Sequence, residues 1–207
     1  MIDYIVQQSD RLFTAFVQHL QIVGMTLLFS IVLASVLSFL IISSRRATNI
    51  VLQFFEIFYS IPSLALFALL VPVTGLGMNS AIIVLVLYNQ YLLIRNIVTG
   101  IVGIDPAVIE SALAMGMSRF ELAYKIQIPL AAPMIIAGIR LAVISTTSIA
   151  TIASTINAGG LGDIIFDGLR TSNQYKIIWG ALMSAMIALI TDIALRKIEK
   201  HLNKQTA

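Results

Sequence analysis

No cysteine occurs in the 207 residues, which removes disulfides, thiol nucleophiles and thiolate metal sites together. Charge is scarce as well. Only 11% of residues are Asp, Glu, Lys or Arg, whereas a water-soluble domain carries about a quarter. The two histidines, His19 and His201, stand near opposite ends and offer no metal-ligating spacing; both read as interfacial polar residues. With no His/Asp/Glu cluster and no nucleophile elbow, the chain is expected to be no enzyme and to hold no metal or cofactor of its own. No run of like charge is long enough to engage nucleic acid. Asp3, Asp10 and Arg11 precede the first apolar run in place of a basic region, so a cleaved signal peptide is not expected.

What remains is hydrocarbon. Hydrophobic residues make up 58% of the chain and mean hydropathy is +0.95. Five apolar stretches reach the roughly 20 residues that cross a bilayer as helix: about 20–43, 50–72, 79–98, 129–155 and 175–195. The expected fold is an all-α membrane protein of about five transmembrane helices. SSRR at Ser43–Arg46 ends the first stretch, TGLGMNS at Thr74–Ser80 turns between the second and third, and GGLG at Gly159–Gly162 opens a loop before the fifth. Residues 1–19 mix Ile5, Phe13, Phe16 and Val17 with Asp3, Gln7, Gln8 and Asp10. This pattern suits an amphipathic helix on the outer interface, or equally a solvated lead-in. Residues 196–207 form a basic tail.

Charge placement orients the bundle. Threading five spans puts Arg45, Arg46, Arg95, Arg119, Lys125, Arg196, Lys197, Lys200 and Lys204 on one side. Arg11, Arg170 and Lys176 fall on the other, and Arg140 lies within a span. The positive-inside rule makes the richer side cytoplasmic, so the N-terminus is expected outside, with the C-terminus and the 105–128 loop inside.

That loop is a polar island between two apolar runs. Asp105-Pro106 is a helix start, since Asp caps free N–H groups and proline at the first position loses nothing. Ala107, Ile109, Ala112, Leu113 and Ala114 then give a short helix with Glu110 in its early turns, and Gly116 ends or bends it. Ser118–Glu121 starts a second short helix, and Pro129 and Pro133 open the fourth span. A docking helix needs small residues for close approach, a charge for register and a rigid turn, needs that Ala112, Glu110 and Gly116 meet.

ESALAMG from Glu110 to Gly116, with Pro129 of KIQIPL thirteen residues beyond that glycine, resembles the EAA loop of ABC-importer permeases. AGGLGDIIFDG at Ala158–Gly168 is similar to the stretch GAGGLGDLIFxGL of osmoprotectant permeases, with Asn157 where that pattern has glycine. SIPSLAL at Ser60–Leu66 with Val71-Pro72, and AGIR ending at Arg140, match that family too. The resemblance covers about residues 20–195. It implies an ABC type I importer permease fold in a bacterial cytoplasmic membrane, with the loop acting as a coupling helix for a separate ATP-binding subunit. ATP and Mg would be bound by that subunit. It also implies a second permease copy or paralogue, a separate extracytoplasmic binding protein, and transport of glycine betaine, carnitine, choline or a similar osmolyte. A permease for another small amino-acid-like solute is the near alternative. A secondary transporter usually needs more spans and an internal repeat, which are not found.

Polar groups inside spans usually face a bundle interior or a water path. Candidates for a substrate path are Glu56, Tyr59, Tyr88, Asn89, Tyr91, Ser145 and Thr147. The tyrosines suit cation–π contact with a quaternary ammonium, or equally a membrane-interface belt; Ser145 and Thr147 equally suit helix–helix hydrogen bonds. Pro62 should kink the second span, and Gly159, Gly160 and Gly162 mark a structural or gating turn. Arg140 lies eleven residues past Pro129, roughly 16 Å along a helix. It is expected either to snorkel to the interface or to pair with Glu56.

Overall fold

The computed structural model describes residues 8–206, and all regular structure among them is helical. Helix α1 (Ser9–Ile41) leads through a short turn to α2 (Arg45–Ser60), whose first turn is capped by the Ser44 hydroxyl accepting from the Ala47 N–H at 3.3 Å. Next come α3 (Ser63–Thr74), α4 (Met78–Val102) and the short loop helices α5 (Pro106–Ala114) and α6 (Arg119–Leu122). A π-helical turn at Ala123–Gln127 joins α6 to α7 (Ile128–Ile152), a 3₁₀ turn at Ala153–Ile156 follows, and α8 (Leu161–Arg170) precedes α9 (Gln174–Thr206). α4 is central, packed on α7, α1 and α2, while α9 packs on α7 and α8.

Four helices are long and apolar enough to cross a membrane, and α2 with α3 makes a fifth if the pair is one span. The pair turns through 101°. The kink expected at Pro62 is thus an outright break: Ile61 and Pro62 are extended, and α3 restarts beyond them. The opposite departure occurs at Pro129. A new helix was expected to open there, yet the chain is helical from Arg119 to Ile156. Proline in a helix removes one N–H and crowds the carbonyl four residues back. The π turn absorbs both problems, with the Ile128 N–H reaching the Ala123 carbonyl five residues back.

Both ends of the chain also depart from expectation. The 1–19 segment, as far as it is described, is the opening of α1 itself, with Leu12 and Ala15 buried against Leu161, Ile164 and Ile187; residues 1–7 lie outside the described residues. His19, read as interfacial, is fully buried, its Nε2 lying 3.2 Å from the Thr147 carbonyl. The basic tail from Arg196 is a continuation of α9 rather than a separate segment.

Within hydrocarbon, moving Leu from lipid to Leu gains little, and close approach and polar contacts decide which helices meet. Gly138 of α7 lies so near α4 that a Cβ on it would stand 2.6 Å from the Asn96 Cβ. The buried Asn89 of α4 donates to Thr146 Oγ1 at 2.8 Å and to Ser30 Oγ at 3.2 Å, joining α4 to α7 and α1. At the end away from α5, Asp167 of α8 accepts from Arg11 (3.0 Å), Arg170 (2.9 Å) and Lys176 (2.8 Å). These are the same three cations that sequence reading grouped on the sparsely charged side, and they converge on one acid. Hydrogen bonds from Lys176, then Arg170 and Arg11, hold its carboxyl far below the usual carboxylate range.

Two outcomes follow from this packing. Gly138→Val should force α4 and α7 apart and cost about 1–3 kcal/mol, seen as a lower unfolding midpoint in detergent; an unchanged midpoint would contradict the close approach. For Asp167, the folded-state depression means stability is contributed above the ordinary Asp range and lost as pH falls through and below it. The wild type should therefore begin to lose stability as pH falls below about 5 and go on losing it with further acidification. Asp167→Asn should be less stable at pH 7 and flatter over that range, as thermal unfolding across pH will show.

Candidate functional site

The loop between α4 and α7 is built as a rigid unit. Asp105 accepts from the Ala107 N–H at 2.9 Å and Pro106 occupies the first helical position, so α5 starts where its sequence says. It ends at Gly116, which sits at φ +84°. There the Gly116 N–H donates to the Leu113 carbonyl (2.9 Å) and the Met117 N–H to the Ala112 carbonyl (3.2 Å). This pair of bonds is the Schellman closure, whose left-handed residue favours glycine. Ser118 and Glu121 then form a reciprocal capping box for α6, and Lys125 pairs with Glu121 at 3.0 Å.

The loop's surface sorts the predicted residues. Glu110 and Pro129 are exposed, but Ala112 is buried against its own chain, so its small side chain serves packing within the loop. Other exposed side chains of the loop include Leu113, Met115, Phe120 and Tyr124, with Met115 72% and Phe120 75% exposed. The loop is thus stiff, capped and carries exposed apolar side chains. Sequence reading did not register Met115, Phe120 and Tyr124, although their place in a polar island was the available signal.

The substrate-path candidates separate into two groups. Tyr59, Tyr88, Tyr91 and Glu56 come together beside the α2–α3 break. Tyr59 and Tyr91 ring centroids lie 5.1 Å apart, Tyr59 and Tyr88 5.9 Å apart, and the Tyr91 hydroxyl donates to Glu56 Oε1 at 3.2 Å. Asn89 and Thr147 lie apart from them. Asn89 serves the α1–α4–α7 contact described above, Thr147 is buried with its hydroxyl donating to the Val143 carbonyl at 2.8 Å, and Ser145 is half-buried.

The pairing of Arg140 with Glu56 is not what forms. Arg140 Nε donates to Asp192 Oδ1 at 2.9 Å and its Nη1 bonds Glu199, both on α9, while Asp192 also binds Arg196 at 2.9 Å. α9 runs alongside α7, whereas Glu56 stands on α2 against α4 and is taken by Tyr91. Asp192 was legible as the lone acid of the fifth apolar stretch.

At the far end of α7, Gly159 and Gly160 have φ of +81° and +86°, and the Gly160 N–H donates to Gln18 Oε1 at 3.1 Å. A Cβ on Gly162 would meet the Thr151 carbonyl at 2.0 Å. These glycines let α8 start flush against α1 and α7. Asn157, standing where the osmoprotectant pattern has glycine, adopts the left-handed conformation at φ 61° that asparagine tolerates.

Comparison with known proteins agrees with this architecture. The chain is 35% identical over 204 residues to the carnitine transport permease protein OpuCD of Listeria monocytogenes, covering 98% of this chain and 92% of that one. It is 36% identical over 201 residues to the glycine betaine/carnitine/choline transport system permease protein OpuCD of Bacillus subtilis, covering 97% and 88%. Among solved structures, the MetNI methionine ABC transporter in an inward-facing conformation superposes with a TM-score of 0.82 at 20% identity, covering 92% of this chain and 95% of that one. The fold is that of an ABC type I importer permease. Residues 27–204 match the profile of the binding-protein-dependent transport system inner membrane components, and the chain belongs to that family.

Proposed function

We propose that this permease subunit pairs with a second copy or a paralogue, docks an ATP-binding subunit through the α5 loop, and passes a small quaternary-ammonium osmolyte delivered by a separate extracytoplasmic binding protein. As a permease it is non-catalytic; ATP and Mg belong to the docked subunit. The observation that carries the reading is the α5 loop, locked at both ends by side-chain and backbone caps and presenting Glu110 and exposed apolar side chains. In this reading the α5 end faces the cytoplasm, consistent with the nine basic residues that the sequence assigns to that side. The continuous helix from Arg119 to Ile156 then acts as a lever, carrying motion at the docking surface into the bundle. The substrate class rests on the curated relatives, whose names include carnitine, glycine betaine and choline transport.

The test is uptake by the complete transporter in proteoliposomes. Wild type should accumulate at least one of glycine betaine, carnitine and choline when ATP is supplied, and failure with all three would refute the substrate class. A Cβ on Gly116 meets nothing within 4 Å, so Gly116→Val strains only the backbone turn, by about 1–2 kcal/mol. The variant should assemble yet lose most ATP-driven uptake while ATP hydrolysis persists. Normal uptake by a stably assembled variant would contradict the coupling role.

A further inference from the structure

One ring of the tyrosine cluster already holds a cation. The Arg95 guanidinium carbon stands 5.6 Å from the Tyr91 ring centroid, and its Nη1 donates to the Tyr91 hydroxyl at 2.5 Å. That hydroxyl in turn donates to Glu56, so one phenol links a guanidinium to a carboxylate. Below it, Tyr88 donates to the Ile61 carbonyl, which the break at Pro62 leaves outside both helices. Arg95 and Glu56 are exposed on the single protomer and Tyr59 is 39% exposed, so these three open outward from the bundle, with Tyr88 and Tyr91 buried behind them. A carboxylate and a guanidinium facing acyl chains would be costly. This face therefore meets water or a second subunit, not lipid.

We propose that the cluster is a transport subsite for a zwitterion bearing a quaternary ammonium and a carboxylate, with Arg95 as its internal placeholder; the inference rests on the osmolyte reading above. A quaternary ammonium has no N–H to donate, so aromatic faces and a nearby carboxylate are what recognise it. Tyr59, Tyr91 and Glu56 supply both. The ligand's carboxylate needs a donor, and Arg95, once it leaves the Tyr91 ring, offers a planar fork for it. Binding then exchanges one cation over Tyr91 for another and gives the displaced guanidinium a new partner. A choline-type cation has no carboxylate, so it leaves Arg95 without an acceptor and sets two positive charges at one ring. The site accordingly favours betaine- and carnitine-type zwitterions over choline, and does so weakly enough to release them.

The experiment is saturation-transfer NMR on the N-methyl protons of glycine betaine and choline, added to the permease with its ATP-binding subunit in lipid nanodiscs and with no binding protein. Glycine betaine should show the stronger transfer in wild type. Tyr59→Leu should weaken both signals about five-fold, the size of one cation–π contact, while Tyr59→Phe, which keeps the ring, should retain them. Arg95→Gln should bring the glycine betaine signal down to that of choline. Equal signals in wild type, or signals unmoved by Tyr59→Leu and Arg95→Gln, would overturn the site. Uptake separates the two claims. Glycine betaine uptake left unchanged by both variants refutes the subsite and leaves the osmolyte reading standing, whereas a wild type that takes up none of the three osmolytes refutes the osmolyte reading and the zwitterion assignment with it.

Discussion

Hydrocarbon supplies no hydrogen bonds, so charged and amide side chains that this chain carries into its helices are driven to partners in the protein or in a water-filled path. Helix pairing follows from that demand. Arg140 on α7 finds Asp192 and Glu199 on α9, and Asn89 on α4 finds Ser30 on α1 and Thr146 on α7. At the end away from α5, Asp167 gathers three cations from α1, α8 and α9. Apolar side chains gain little by leaving lipid for one another, so these contacts, with small residues such as Gly138 between them, set the arrangement in which the remaining residues pack.

Two segments do not simply span. The α5 loop is held outside the bundle by an aspartate cap, a Schellman closure and a capping box, one after another. The α2–α3 pair breaks where proline interrupts the helix and gathers tyrosines around the freed carbonyl. The first is stiff and surface-facing, which suits transmission of force. The second carries irregular backbone at its break, which membrane proteins tolerate within hydrocarbon only where protein or water covers it. In the proposed transport cycle the two are joined by α4, which carries Tyr88, Tyr91 and Arg95 and runs directly into the loop.

Much of this was legible in the residues. Apolar length and explicit turn residues located four of the five expected spans as single long helices, because a bilayer imposes a minimum run; Asp105, Pro106 and Gly116 marked both ends of α5, because caps act locally. Long-range choices were less visible. Pro62 and Pro129 look alike in sequence, yet one ends a helix and the other is absorbed by a π turn, and only the surrounding packing decides between them. Arg140 was expected either to snorkel or to pair with Glu56, and both alternatives passed over Asp192, since helix adjacency is not written in one sequence. α8 was read as a loop because its glycines dominate the start, although its buried Leu161, Ile164 and Gly168 fall at helical spacing.

In the proposed assembly the α5 loop is the surface on which an ATP-binding subunit docks. Because the chain has no cysteine, single reporters are unambiguous: Met115→Cys in the loop and Ser172→Cys at the opposite end, both at exposed positions. A maleimide–benzophenone reagent attached to the new thiol should, on irradiation of the assembled transporter, join position 115, and not position 172, to the ATP-binding subunit. A crosslink from position 172 to that subunit, or none from position 115 in a complex that still hydrolyses ATP, would contradict the account.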